Sequence, residues 1–382
     1  MSLAFFQDSR QNKVSVKRLI HTCMKDYIIG GIQQVGIGVT DLKEAWSWYI
    51  KAFGMDCRIF EDDSEANLML VYTGGQPHIR HAVLAMNLQG GGGFEIWQYK
   101  VRQPVPLHEE IKLGDLGIIA CKVKVKDIDK AYTYYKTQDY NVLGEPQNGP
   151  SEEKTFFLKD PFGNIFQICK SESWLFEENK ISGGSCGVII GVSDVEKSKI
   201  LYSDILGYRE ALYDSTGIFP DLSSLPGGQR KFRRTLLWNP DPLKGHFSPL
   251  FGKSLIELIS PVESPGARTY KDRFWGDPGY IHLCFDIRGI DQLKEYCKEL
   301  GFPFTVDSRP SHGGKSFDMG EAAGHFAYIE DPDGTLIEFV ETHKIPIIKK
   351  LGWYLNLRNR TAYRPLPQWL LKTLKFSRVK KP

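Results

Sequence analysis

Gln34-Val35-Gly36-Ile37-Gly38-Val39-Thr40-Asp41-Leu42 is the stretch from which the fold follows, because the chain repeats its pattern four times. Gln34 to Val39 is an apolar run of strand length, and from Leu42 onward Trp46, Tyr49 and Phe53 recur at the spacing of one helical face. Asp41 with Glu44 three residues later has the form of a helix start, and Gly54 that of a helix stop. The same order returns in Gly187 to Val192, followed by Ser193-Asp194-Val195-Glu196, apolar positions at Leu201 and Ile205, and then Gly207. Ala120 to Val125 repeats it with Asp127-Ile128 and a helix through Tyr135 that lacks a stop glycine. His282 to Ile287 repeats it with Ile290, Leu293, Cys297, Leu300 and Gly301.

Each unit closes on a strand that sets Glu or Gln between large apolar residues: Phe94-Glu95-Ile96, Phe166-Gln167-Ile168, Ile256-Glu257-Leu258 and Ile337-Glu338-Phe339. A carboxylate in that setting is half exposed or buried, and burial is costly unless a metal or partner compensates it. Before the closing strand, Asp160-Pro161-Phe162-Gly163-Asn164 and Asp331-Pro332-Asp333-Gly334-Thr335 have tight-turn chemistry, so hairpins are expected there. The unit is one strand, one helix and about three strands, with its sheet covered on one face by its own helix and bare on the other. This predicts an α+β chain of four βαβββ modules paired into two cup-shaped mixed β-sheets. Along the sequence it gives an N-terminal arm at 1-29, a first domain of two modules at 30-172, a charged Ser/Gly-rich linker at 173-181, a second domain of two modules at 182-343, and a basic aromatic tail at 344-382.

At 382 residues, 41% hydrophobic and 25% charged, the chain has the composition of a globular protein able to bury real cores. Lys and Arg outnumber Asp and Glu by only 49 to 46, which argues against nucleic acid and leaves small molecules as the expected partners. The seven cysteines are scattered with no Cys-x-x-Cys pair, so neither a disulfide framework nor a cysteine zinc knuckle is expected. No run of about 18 apolar residues occurs, and Met1 to Arg18 lacks the apolar core of a signal peptide. A soluble, cytoplasmic protein is the expectation.

The openings Val39-Thr40-Asp41-Leu42 and Val192-Ser193-Asp194-Val195, with Asp331-Pro332-Asp333-Gly334 leading into Ile337-Glu338, resemble the vicinal oxygen chelate superfamily. Its members include glyoxalase I, the extradiol dioxygenases, methylmalonyl-CoA epimerase and the bleomycin-resistance proteins. The resemblance runs over residues 30 to 343 and implies that metal ligands come from the start of each opening strand and the middle of each closing strand. In units one to four those positions are Gln34 and Glu95, Ala120 and Gln167, Gly187 and Glu257, and His282 and Glu338. If units one and four pair, as in double-length glyoxalase I proteins, one cup collects Gln34, Glu95, His282 and Glu338, similar to the Gln-Glu-His-Glu set of glyoxalase I. The other cup then collects Ala120, Gln167, Gly187 and Glu257, a set too poor in donors for a metal, with no role left for Glu257. If neighbouring units pair instead, the candidate ligands are Glu257, His282 and Glu338.

Oxygen donors with one imidazole suit a single divalent ion of intermediate hardness: Zn, Ni, Co, Fe or Mn. The resemblance then implies a lyase or isomerase of the lactoylglutathione lyase kind, in which the ion grips neighbouring oxygens of a small substrate and stabilises an enediolate. Glu338, with Glu95 as its counterpart, is the expected catalytic base. Glyoxalase I holds glutathione in part with an Arg and an Asn at the positions that are Gly38 and Tyr99 here, which speaks against glutathione as the thiol. A ring-cleaving extradiol dioxygenase needs its first His where Gly187 stands, and a metal-free binding protein of the resistance type needs no ligand set; both are alternatives. His325 is a candidate for the cup mouth, and His312-Gly313-Gly314-Lys315 for a loop closing over an anionic substrate. After Glu341 the chain has no acid but eleven Lys or Arg from Lys344 to Lys381, mixed with Trp353, Tyr354, Trp369, Leu370, Leu374 and Phe376. The expected arrangement packs those aromatics on the cups with the charges outward, and the alternative is attachment to a membrane surface.

Overall fold

The computed structural model describes residues 26–107, 110–311, 313, 317–318, 323–348 and 353–382. The chain before residue 26 and the loop from His312 to Lys315, Gly313 aside, lie outside them. Unit one runs β1 (Ile28–Gly38), α1 (Leu42–Phe53), β2 (Cys57–Glu65), β3 (Ile79–Met86) and β4 (Gly93–Tyr99). Unit two runs β5 (Gly117–Val125), α2 (Ile128–Thr137), β6 (Val142–Asn148), β7 (Lys154–Lys159) and β8 (Ile165–Lys170). Unit three runs β9 (Ser182–Gly191), α3 (Val195–Lys199), β10 (Glu210–Gly217), β11 (Phe232–Trp238) and β12 (Leu255–Pro261). Unit four runs β13 (Gly279–Arg288), α4 (Ile290–Glu299), the short β14 (Val306–Asp307) and β15 (Phe317–Asp318), then β16 (Ala323–Glu330) and β17 (Leu336–Ile348). β18 (Trp353–Asn356) adds an edge strand from the tail.

The helix starts have local causes. Asp41, Asp127 and Asp194 each accept first-turn N–H groups, from Glu44, from Lys130, and from Glu196 and Lys197. Gly54, at φ 61, ends α1 in the left-handed conformation, and Asp139, at φ 58, makes the same turn after α2, where no glycine is present. The third helix is less regular than its spacing suggests, because it widens into π turns over Ile200–Ile205. In unit four Gly289 stands where the others have a capping Asp, and its N–H donates to Glu341 at 2.9 Å. No helix among the described residues is long and apolar enough to cross a membrane.

The sheets do not follow the halves of the sequence. One sheet has the order β14-β16-β17-β13-β1-β4-β3-β2, with β15 on β16 and β18 on β17; the other has β10-β11-β12-β9-β5-β8-β7-β6. The joints are antiparallel pairs of opening strands, β1 with β13 and β5 with β9. Unit one therefore pairs with unit four and unit two with unit three, so 30-172 and 182-343 divide the chain in sequence while each sheet takes one unit from each. The helix-covered faces share a single core, in which Phe53 of α1 lies 4.8 Å from Phe166 of β8 in the other sheet. Tyr49 donates to Asp160 at 2.7 Å and Tyr202 to Asp331 at 2.9 Å, so each Asp-Pro turn is tied to the helix of the preceding unit, across the two sheets.

The cup of the second sheet is closed by charge. Lys122 of β5 reaches inward and its Nζ donates to Gln167 and, at 2.7 Å, to Glu257. Arg234 of β11 donates to Glu257 at 2.8 Å and to Asp221 at 2.8 Å, and the Tyr213 hydroxyl donates to Glu257 at 2.7 Å. Burial pushes the Glu257 carboxyl up, but Arg234 and Lys122 outweigh it and hold the group at about 2. A Cβ at Gly187 would lie 2.0 Å from the Leu255 carbonyl oxygen, so no ligand side chain fits there. The alternative set of Glu257, His282 and Glu338 is thereby corrected: Glu257 belongs to the other sheet and is saturated by protein cations.

Replacing Glu257 by Gln leaves two buried cations short of a carboxylate, and a loss of about 3–5 kcal/mol of stability is expected at pH 7. Because the folded-state pKa is depressed, the contribution is full above about 4.5 and disappears as pH falls through about 2. Denaturant unfolding of wild type and Glu257→Gln across this range should show the gap closing toward low pH; a gap independent of pH would contradict the ion-pair account.

Candidate metal centre

Strand register assembles the first cup. β1 aligns Gly36 with His282 of β13 on one side and with Glu95 of β4 on the other, and β13 aligns Cys284 with Glu338 of β17. Alternation sends Val35, Ile37, Phe94, Ile96, Leu283 and Ile337 into the shared core and turns Gln34, Glu95, His282 and Glu338 to the concave face. One ligand atom each from Glu95, His282 and Glu338 lies within 4.8 Å of the other two. His282 Nε2 is 3.2 Å from Glu95 Oε2 and 3.1 Å from Glu338 Oε2.

Neither contact points as a hydrogen bond does. His282 Nδ1 and Nε2, Glu338 Oε2 and Gln34 Oε1 are all buried without a hydrogen-bond partner. Buried polar atoms of this kind call for a physical explanation, and several converging on one point fit an ion held between them. Burial pushes the His282 imidazole down, but the charges of Glu338 and Glu95 outweigh it and raise the group to about 10. Burial likewise opposes ionisation of Glu95, yet His282, then Arg80 and the Gln34 amide, hold its pKa below the usual carboxylate value. The imidazolium proton thus stands where two carboxylates demand positive charge, and a divalent cation held by one nitrogen and several oxygens suits the same place.

Room for the imidazole comes from a glycine. A Cβ on Gly36 would lie 2.5 Å from His282 Cε1, so only glycine lets the ring lie against β1. Sequence reasoning passed over Gly36, although a glycine inside an apolar strand is a recognisable sign of close approach. It also passed over Lys122, legible as a lysine within the apolar run Ala120 to Val125, and over Trp275, for which no sequence signal exists. Trp275 stacks on His282 at 6.5 Å and 17°, Tyr328 meets the ring edge-on at 5.7 Å, and Trp97 packs on Trp275 at 4.7 Å. The indole N–H groups of Trp97 and Trp275 are buried without partners.

The other wall is built by the tail. Leu84, directly across from Glu95, packs in a cluster with Leu357, Leu366, Leu370 and Leu371. This corrects the expectation that the tail's aromatics pack on the cups: leucines do, while Trp353, Trp369 and Phe376 stay exposed. His325 is also misplaced by the sequence reading. It pairs with Glu341 on the same face as Ala327 and Phe339, the helix side of the sheet, and lines a cavity of ≈ 750 Å³ with Arg309 and His343 that contains none of the cluster. At the two positions linked to glutathione, a Cβ on Gly38 would lie 2.2 Å from the Asp277 carbonyl oxygen, and the Tyr99 hydroxyl is engaged by the Trp275 carbonyl.

Residues 31–168 and 187–339 match the family described as the Glyoxalase/Bleomycin resistance protein/Dioxygenase superfamily. No curated protein sequence matches the chain. Among solved structures, a glyoxalase I variant from Zea mays is similar with a TM-score of 0.56 at 14% identity, over 85% of this chain and 96% of that one. A second Zea mays glyoxalase I variant gives 0.51 at 15% identity, over 81% and 93%. A putative dioxygenase from Bacillus subtilis gives 0.50 at 13% identity, over 82% and 85%. At these identities the likeness is one of fold. With two matched segments, one in each half, that together span most of the chain, this protein belongs to the Glyoxalase/Bleomycin resistance protein/Dioxygenase superfamily.

Proposed function

We propose that this protein is a divalent-metal-dependent lyase or isomerase acting on a small substrate with vicinal oxygens. The observation that carries the reading is the buried cluster of Glu95, His282 and Glu338, in which His282 Nε2 and Glu338 Oε2 lack hydrogen-bond partners. Gln34, Glu95, His282 and Glu338 would hold the ion, which when bound supplies a Lewis acid for two neighbouring substrate oxygens. Trp97 and Trp275 offer unpartnered N–H donors to those oxygens and, with Tyr328, keep water from the cup. Glu338, and Glu95 opposite it, are the bases positioned to take a proton from the carbon beside the oxygens. Blocked positions at Gly38 and Tyr99 support a substrate other than a glutathione adduct. A cytoplasmic setting is supported by the six described cysteines, all buried free thiols.

Metal analysis of purified single variants tests the site. Gln34→Ala, Glu95→Gln, His282→Ala and Glu338→Gln should each lose most of the bound ion, while Glu257→Gln, if folded, keeps it. A wild-type chain that takes up no Zn, Ni, Co, Fe or Mn, or a Glu257→Gln variant that alone loses the ion, would sink the reading.

Gly36→Ala drives a methyl group into the His282 ring, and metal affinity should drop by roughly 10- to 100-fold through misplacement of one ligand. Competition with a chelating dye measures it, with circular dichroism as the check on folding. An affinity equal to wild type would show that His282 is not a ligand.

Oxygen uptake with catechols should be absent from the metal-loaded protein, since its cluster has a single imidazole where a ring-cleaving iron site uses two. Measured ring cleavage would transfer the protein to the dioxygenase class.

A further inference from the structure

The last forty-one residues carry a charge pattern found nowhere else on the chain. From Thr342 to Pro382 there is no Asp or Glu, against eleven Lys or Arg between Lys344 and Lys381. Within this stretch α5 (Gln368–Lys372) continues into tighter turns at Thr373–Ser377. One side of that segment is fixed to the body: Leu370 and Leu371 are buried beside the cup, Leu374 packs against the same cluster, and Lys375 and Arg378 pair with Glu178. Away from the body the segment presents Trp369 and Phe376, whereas the Lys372 ammonium turns back to within 5.8 Å of the Phe176 ring centre. Trp369 is 67% exposed and Phe376 is 91% exposed. Lys380 and Lys381 follow, both exposed.

Single apolar residues on a surface are ordinary, but two large aromatics held outward on an anchored segment that itself carries cations and no acid have a specific physical fit. Large aromatic rings favour the boundary between water and lipid, and lysines next to them meet the phosphates of anionic headgroups. A second copy of the chain would bring the same positive charge to the contact and be repelled by it. We propose that this face docks on the surface of an anionic lipid bilayer, with Trp369 and Phe376 entering the headgroup region and Lys380 and Lys381 meeting lipid phosphates. The docking does not depend on the metal reading, since it uses the tail's outer face while the buried leucines line the cup.

Co-sedimentation of the full chain with vesicles tests it, using phosphatidylcholine alone and a mixture of phosphatidylcholine with phosphatidylglycerol. The chain should sediment with the mixed vesicles, remain in solution with the neutral ones, and detach in high salt. A W369A/F376A double variant should bind the mixed vesicles at least ~10-fold more weakly, and a K380E/K381E double variant should also bind them more weakly. Because all four side chains are exposed, both variants should melt with wild type, and their melting curves serve as the check on folding. Equal sedimentation of wild type and W369A/F376A, or none with the mixed vesicles, overturns the proposal. So does a wild-type dimer in sedimentation velocity that W369A/F376A converts to monomer, which would assign the face to self-association.

Discussion

The antiparallel contact between β1 and β13 is the interaction on which the rest of the molecule depends. No unit carries more than two of the candidate ligands, so the cluster exists only because these opening strands meet. Two buried carboxylates and an imidazole are costly to assemble in one place, and their mutual compensation, by a proton or a cation, is what makes the joint tolerable. The equivalent joint of β5 with β9 forms the second sheet, and the Tyr49–Asp160 and Tyr202–Asp331 bonds hold the two sheets against a common core.

The same architecture reaches two chemical outcomes within one chain. Gly36 pairs with Glu95 in the first cup, and Lys122 pairs with Gln167 in the second, so the two residues occupy equivalent positions. Glycine leaves space for the ring of His282; lysine fills the corresponding space with its own ammonium and neutralises Glu257. In the second cup that ammonium and the Arg234 guanidinium together supply the positive charge from within the chain. The tail then completes the first cup from outside, its leucines forming a wall across from Glu95 while its aromatics face away.

Much of this was legible in the residues. The four strand-helix openings could be read because caps and apolar periods act over a few neighbours: Asp41, Asp127 and Asp194 cap helices whatever the tertiary partners are. The candidate ligand positions came from the family resemblance laid over the aligned repeat. Lys122 and Arg234 were not legible as the partners of Glu257, since they lie on strands far apart in sequence and meet only through register. The tail misled for a related reason: composition shows that leucines and aromatics share a segment, but which of them turns inward depends on the surface they meet.

The sequence by itself determined the kind of each element, the number of units and the identity of the available donors, because these rest on short-range sterics, hydrogen bonding and spacing. Tertiary structure alone decided which units pair. Every opening strand offers a similar apolar edge to any other, so the choice of β13 rather than β5 as the partner of β1 is made by burial and packing summed over whole sheets. That choice brings Glu95, His282 and Glu338 to one point and gives Glu257 to a lysine.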